Sequence, residues 1–163
     1  RERDQIPRQI RMLRANTRVQ GSVFFSSKSL TDNLAGVRDS LQFNFYRYTA
    51  LPPVMPWLDS VPPLPPTNLN AAIVPGNRVI LNWTPPLMAK DGEMAYGYVV
   101  YRFSPGEEID LQKVRNILKI SFEGKLTTYT DKNIQNAKGY TYVVSAIDRL
   151  KNESLPADTV IGN

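Results

Sequence analysis

Val79-Ile80-Leu81-Asn82-Trp83-Thr84-Pro85-Pro86 is the stretch on which the fold turns. Side chains alternate along an extended chain, so Val79, Leu81 and Trp83 share one face while Ile80 and Asn82 take the other. Pro85 and Pro86 have no N–H to give a ladder and end the strand. A tryptophan on the apolar face of so short a strand belongs in a core. Working outward, Thr67 to Ile73 is a preceding strand and Pro75-Gly76-Asn77 the turn between the two. Further on, Gly97 to Phe103 is a strand, Ile117 to Phe122 and Lys125 to Thr130 bracket a Glu123-Gly124 turn, and Tyr140 to Ile147 alternates along its length. Between them, Asp110 to Asn116 suits one helical turn capped by Asp110. Short alternating runs separated by turns predict an all-β sandwich from residue 67 to residue 163.

The chain ahead of these strands is a different material. Seven of the thirteen prolines, Pro52, Pro53, Pro56, Pro62, Pro63, Pro65 and Pro66, fall within fifteen residues. Proline fixes φ and pushes its predecessor out of the helical region, so residues 51–66 read as an extended, semi-rigid connector. Leu51, Val54, Met55, Trp57 and Leu58 are apolar, and their exposure would be costly. The first half of the connector is therefore expected to pack on a domain, with a boundary between Val61 and Pro66.

Residues 1–50 carry helical periodicity instead. Ile6, Ile10 and Leu13 recur at i, i+4 and i+7, with Arg11, Arg14 and Arg18 on another side, which predicts an amphipathic helix with a basic solvent face. Gly21-Ser22-Val23-Phe24-Phe25-Ser26-Ser27 suits a short buried strand. Ser29 as N-cap, Asp32 three residues later, and Leu30, Leu34, Val37, Leu41 and Phe45 predict a second helix over residues 29–47. Helix, buried strand, helix is the grammar of an α/β fold with parallel strands, but a single strand cannot satisfy its own backbone. The first fifty residues are expected to be an incomplete domain.

Composition narrows the chemistry. The 163 residues include neither cysteine nor histidine. That removes the usual zinc ligands, the Ser-His and Cys-His nucleophile pairs, thiol redox chemistry and disulfides, and no metal or cofactor is expected. The net charge of +5 is uneven: residues 1–60 hold nine basic and five acidic side chains, residues 61–163 eleven and ten. The surplus is a local property of the front segment. Its arginine face could contact phosphates, but no aromatic residues interleave with it and no nucleic-acid motif accompanies it, so it reads as a solvated helix face. No apolar stretch at the start suits a signal peptide or a membrane span, and the opening Arg1-Glu2-Arg3-Asp4 looks like an internal start.

Two resemblances come from particular residues. Pro65-Pro66-Thr67, Leu81-Asn82-Trp83-Thr84-Pro85-Pro86, Gly97-Tyr98-Val99-Val100-Tyr101-Arg102, Thr127-Thr128-Tyr129-Thr130-Asp131 and Tyr140-Thr141-Tyr142-Val143-Val144-Ser145-Ala146 resemble a fibronectin type III domain in order and spacing. The resemblance implies that Trp83 fills the core and that Tyr140 forms the tyrosine corner. The polar insertion from Glu107 to Asn116 departs from the family pattern. Upstream, the run from Gly21 to Leu30, then Tyr46-Arg47-Tyr48 and Ala50-Leu51-Pro52-Pro53-Val54-Met55-Pro56-Trp57-Leu58, resembles the C-terminal end of family 10-like bacterial glycosylhydrolases, (β/α)8-barrel proteins often followed by such a module. This implies that residues 22–27 are the last barrel strand and 29–47 the last helix, with the catalytic carboxylates upstream.

Few residues here suit chemistry of their own. Glycosidases need two carboxyl groups across the scissile bond, one of them held protonated by its surroundings. Asp91 with Glu93, and Glu107 with Glu108, sit in polar turns where solvent keeps carboxylates ordinary. Ser26, Ser27 and Lys28 would end a barrel strand, where active-site groups gather, and are candidates for lining substrate in a complete barrel. Lys28 near Ser26 lacks the S-x-x-K spacing, and no glycine-rich phosphate loop is present. Tyr96, Tyr98 and Tyr101 could form a sugar-stacking platform, though core and half-buried strand positions explain them as well.

The expectation is thus a mainly β chain: a fibronectin type III sandwich preceded by an incomplete helix-strand-helix α/β segment. Its role would be the non-catalytic C-terminal part of a secreted, periplasmic or envelope-associated bacterial glycosidase acting on a polysaccharide or glycan. The sandwich would then serve as a structural or spacing appendage. Nucleic acid and a membrane span are not expected, whereas self-association through apolar surface left by the missing barrel is. The alternative is a carbohydrate-binding or protein-binding adhesion module with no enzymatic parent.

Overall fold

A computed structural model describes residues 4–19, 21–25, 27–132, 134, 136 and 138–160. The chain divides into two compact units, residues 1–48 and 49–163.

The larger unit is built from seven strands: β1 Thr67–Val74, β2 Arg78–Thr84, β3 Gly97–Phe103, β4 Ile117–Ser121, β5 Thr128–Lys132, β6 Thr141–Ile147 and β7 Ala157–Val160. They form two antiparallel sheets, β1-β2-β5 and β4-β3-β6-β7. This is the three-on-four sandwich that the fibronectin type III resemblance implies. The β1–β2 hairpin turns through Gly76 and Asn77, both at positive φ, which glycine and asparagine tolerate best. Along β2, Val79, Leu81 and Trp83 are buried while Asn82 is exposed, as the alternation predicts. Their side chains meet Tyr98, Val100, Tyr142, Val144 and Ala146 from the opposite sheet.

Strands β3 and β6 do not follow the simple alternation. Nearly every residue from Gly97 to Phe103 and from Tyr142 to Ile147 is buried. The outward set, Val99, Tyr101, Phe103, Val143 and Ile147, forms a second apolar cluster covered by Leu51, Leu111, Ile117 and Ile120. The polar insertion thus has a structural use, because its Leu111 helps to roof the outer face of the four-stranded sheet. Residues Val114–Asn116 make the one short 3-10 turn within it.

The proline stretch behaves differently from expectation. Leu51 packs on the outer cluster and Pro63 and Pro66 are buried, but Val54, Met55, Trp57 and Leu58 are exposed. A turn closed by Leu58 N–H donating to the Met55 carbonyl at 2.9 Å lifts these side chains off the surface. The second half of the stretch, not the first, is the better packed.

In the smaller unit, α1 spans Gln5–Arg14 and buries Pro7 and Ile10. The expected strand does not form over the described residues 22–25: the chain there is irregular, with Val23 and Phe25 almost fully exposed, and Ser26 lies outside the described residues. A strand without a partner leaves its N–H and C=O groups to water and gains nothing over coil. The expected long helix is also broken. It runs as α2 Lys28–Thr31, a 3-10 turn Leu34–Gly36, α3 Val37–Ser40 and a π turn Leu41–Phe45. Asn33, Ala35 and Gly36 adopt left-handed φ, which no helix continues through. Ser29 lies inside α2 rather than capping it; Ser27 holds the cap position without a side-chain hydrogen bond, and Asp32 ends the helix. Asn33 bridges the break by donating Nδ2–H to Asp39 Oδ2 at 2.8 Å.

Candidate functional site: a groove at one end of the sandwich

Three loops and the connector meet at the end of the sandwich where β2 stops and β3 begins. In the first, Ala89 N–H donates to the Glu93 carbonyl at 2.8 Å, Gly92 turns at positive φ, and Asp91 Oδ1 accepts from Glu93 N–H at 2.9 Å. In the second, buried Asp148 accepts from both the backbone N–H and the Nδ2–H of Asn152, at 2.9 and 2.8 Å. That closure sets Lys151 at positive φ and sends Arg149 outward to donate to Glu93 Oε1. In the third, Gly124 lies so close to the Ala95 carbonyl that a Cβ there would sit 2.2 Å from its oxygen, which brings Phe122 beside Tyr96. From the connector, Asp59 accepts from Val61 N–H at 2.9 Å, and its carbonyl accepts from Asn152 Nδ2–H at 3.2 Å.

The result is an open groove of about 450 Å³ lined by Leu58, Asp59, Asp91, Glu93, Arg149 and Leu150. Next to it the Tyr96 and Phe122 rings lie 6.1 Å apart, with the Lys151 ammonium 4.6 and 4.5 Å from their centroids. Lys151 Nζ also donates to the Arg149 carbonyl at 3.1 Å, joining the aromatic pair to the groove wall. Hydrogen bonding to Glu93 raises the Arg149 guanidinium further above its already high range, so it stays a fixed cation.

The carboxylates considered from sequence are not a catalytic pair. Glu107 accepts from Asn116 Nδ2–H at 3.1 Å, Ser104 N–H at 3.1 Å and Arg115 Nη2–H at 3.0 Å. These bonds hold its carboxyl well below the usual range, at about 2, so it cannot carry a proton near neutrality. Glu107 is a strut for the insertion. Glu93 is paired with Arg149 on the groove wall.

Other expected residues find different places. Ser27 and Lys28 are exposed at the start of α2, and Ser26 lies outside the described residues. Trp83 is in the core, its ring 5.4 Å from that of Tyr98 and tilted by 60°. Tyr98 and Tyr101 are buried, so only Tyr96 of the three tyrosines faces solvent. Tyr140 lies just ahead of β6 and packs, partly buried, against the main core cluster. It lies under the Arg102 guanidinium, 5.3 Å from its ring, while Tyr142 is fully buried and donates to Asp131 Oδ2 at 2.7 Å. Arg102 Nη1–H donates to the same Asp131 oxygen at 2.8 Å. Burial and the Asp131 contact push the Tyr142 phenol upward.

Phe122, Arg149, Lys151 and Asp59 were not singled out from sequence. In sequence Phe122 ends a strand, Asp59 sits in the connector and the other two follow the last long strand; only tertiary closure assembles them. Among the described residues no group of acidic side chains suits a metal ion.

No family model matches the chain. It is 34% identical over 148 residues to glycosyl hydrolase YngK of Bacillus subtilis (strain 168), covering 90% of this chain and 28% of that protein. The chain thus spans little more than a quarter of the length of the curated relative it matches. Among solved structures, the fn3 domain of human collagen alpha-1(XX) chain shares 24% identity, a TM-score of 0.46, and 64% of this chain with 88% of that one. An Fn3-like protein from Clostridium thermocellum shares 28% identity, a TM-score of 0.44, and 59% of this chain with 88% of that one. The fold is a fibronectin type III-like sandwich.

Proposed function

We propose that the chain is the C-terminal, non-catalytic part of a longer bacterial glycoside hydrolase, with residues 1–50 as the last helix, strand and helix of its barrel. The observation that carries this reading is the 34% identity to a glycosyl hydrolase across 90% of the chain but only 28% of that relative. The uncovered Val23 and Phe25 support it, since an apolar pair left in water by one segment is what a missing neighbour would explain. In the complete barrel, residues 26–28 would lie at a strand end and line substrate. The sandwich, whose Glu93 and Glu107 are tied into ion pairs, acts as an appendage that supports or spaces the barrel. A secreted or envelope location and a polysaccharide substrate belong to the same reading.

The test compares the 163-residue chain with the full gene product on soluble polysaccharides, reading reducing-sugar release. The chain alone is expected to be inactive and the full protein active. A full protein lacking residues 49–163 is expected to keep its turnover and lose thermal stability. Activity of the 163 residues alone, or an inactive full protein built of repeated β modules, overturns the reading. Sedimentation of the isolated chain reads the accompanying expectation, self-association through the apolar residues around Phe25.

A further inference from the structure

We propose that the groove between Leu58–Asp59, Asp91–Glu93 and Arg149–Leu150, with the adjoining Tyr96–Phe122 pair, binds a neutral oligosaccharide. All of its lining belongs to the connector and the loops of the sandwich, and what is proposed there is binding, not hydrolysis.

Four observations point to that ligand class. The first is size: about 450 Å³ lies within the roughly 300–1,000 Å³ typical of small-ligand clefts. The second is polar pre-arrangement. Asp59 and Asp91 are held by backbone N–H groups and Glu93 by Arg149, which leaves further carboxylate lone pairs and guanidinium donors facing a cleft at fixed angles. Sugar hydroxyls both donate and accept, so they can use both kinds of group at once; an apolar ligand can use neither. The third is the aromatic pair. Tyr96 is 41% and Phe122 50% exposed, and rings of this kind pack against the C–H faces of pyranoses. Lys151 lies over both rings and donates to the Arg149 carbonyl, so its ammonium borders the aromatic surface and joins it to the groove wall.

The fourth is charge. Asp59, Asp91 and Glu93 outnumber Arg149 and Lys151 by one, in a chain whose overall balance is +5. The local surplus is negative, which disfavours uronic acids, sulfated glycans and phosphates. A neutral polyhydroxyl chain remains. Next to the groove wall, the connector adds Trp57, 76% exposed, within one residue of Leu58.

The experiment titrates the 163-residue chain with cellohexaose, xylohexaose, chitohexaose and polygalacturonate, by calorimetry and by amide chemical shifts. At least one neutral hexasaccharide is expected to bind with a Kd below about 1 mM. Tyr96→Ala and Arg149→Ala are each expected to weaken it about tenfold or more, as truncation of a central contact does. Tyr46→Ala, an exposed aromatic of the smaller unit, is expected to leave it unchanged. Melting curves of each variant establish that it is folded, and Glu93→Gln, which keeps the shape of the side chain, serves should Arg149→Ala melt early. Failure of all three neutral hexasaccharides to bind, tighter binding of polygalacturonate, or full affinity in folded Tyr96→Ala and Glu93→Gln overturns the proposal. Because the readout is binding by the sandwich and not hydrolysis, its failure leaves the enzymatic parent untouched, and an inactive parent leaves this site untouched.

Discussion

Tyr142 and Arg102 converge on one oxygen of a buried carboxylate: the Tyr142 hydroxyl reaches Asp131 Oδ2 at 2.7 Å and Arg102 Nη1 reaches the same atom at 2.8 Å. Asp131 belongs to the three-stranded sheet and the other two to the four-stranded one, so this polar knot ties the two layers together through the core. Removing its members should have unequal effects. Asp131→Ala leaves both a guanidinium and a phenol without an acceptor and is expected to cost about 3–5 kcal/mol. Tyr142→Phe leaves the ion pair intact and is expected to cost about 1–2 kcal/mol. Urea unfolding of the two variants measures the difference, and equal losses would contradict the shared-oxygen account.

Alkaline pH tests the buried phenols. Burial raises Tyr98, Tyr101, Tyr129 and Tyr142 above the ordinary tyrosine value, with the charge of Glu153 adding to it for Tyr101 and that of Asp131 for Tyr129 and Tyr142. In the unfolded chain these groups release protons near pH 10. The folded state holds its protons longer, so its stability is full below about pH 10 and declines above it. Phenolate absorbance from these four should therefore appear only as the sandwich opens.

Acid tests the insertion. The Glu107 carboxyl is held at about 2 by Asn116, the Ser104 N–H and Arg115. A depressed carboxyl stabilises the fold above its unfolded value of about 4.3 and loses that contribution as pH falls through its folded value. Between roughly pH 4.3 and 2 the melting temperature of the natural chain should fall more steeply than that of Glu107→Gln. Parallel curves would show that Glu107 does not brace the loop.

Trp83 separates packing from hydrogen bonding. Its Nε1–H is buried with no acceptor among the described residues. Trp83→Phe thus removes a donor that earns nothing and should cost less than about 2 kcal/mol, whereas Trp83→Ala empties the core and should cost about 3–5 kcal/mol.

Gly97 opens β3 against β4, where a Cβ would lie 2.0 Å from the Ser121 carbonyl oxygen. That contact is with backbone, which cannot swing aside. Gly97→Ala is expected to lose about 1–3 kcal/mol through displacement of the β3–β4 pair, visible as shifted amide resonances at Ser121 and Phe122.

The sandwich was readable because its signals are local. Val79, Leu81 and Trp83 declare an inward face within five residues, and Gly76-Asn77 declares a turn within two. What escaped was set by distant partners. The burial of both faces of β3 and β6 depends on Leu51 and Leu111, which nothing near those strands announces. In the front segment, Asn33 and Gly36 carried the turn signal that breaks the helix, but the apolar spacing of Leu30, Leu34 and Val37 spoke more loudly. The groove was the least readable part, since Glu93 and Arg149 stand 56 positions apart and meet only after two loops have closed.

Leu51 has a practical bearing on where this molecule can be divided. The first strand starts at Thr67, yet one wall of the outer cluster arrives sixteen positions earlier, from a residue that looks like linker. Cutting the gene at the strand boundary would strip Leu51 from Val99, Tyr101 and Phe103 and leave a sticky, short-lived product. The inheritable unit, the piece that could be moved intact into another protein, begins upstream of the prolines.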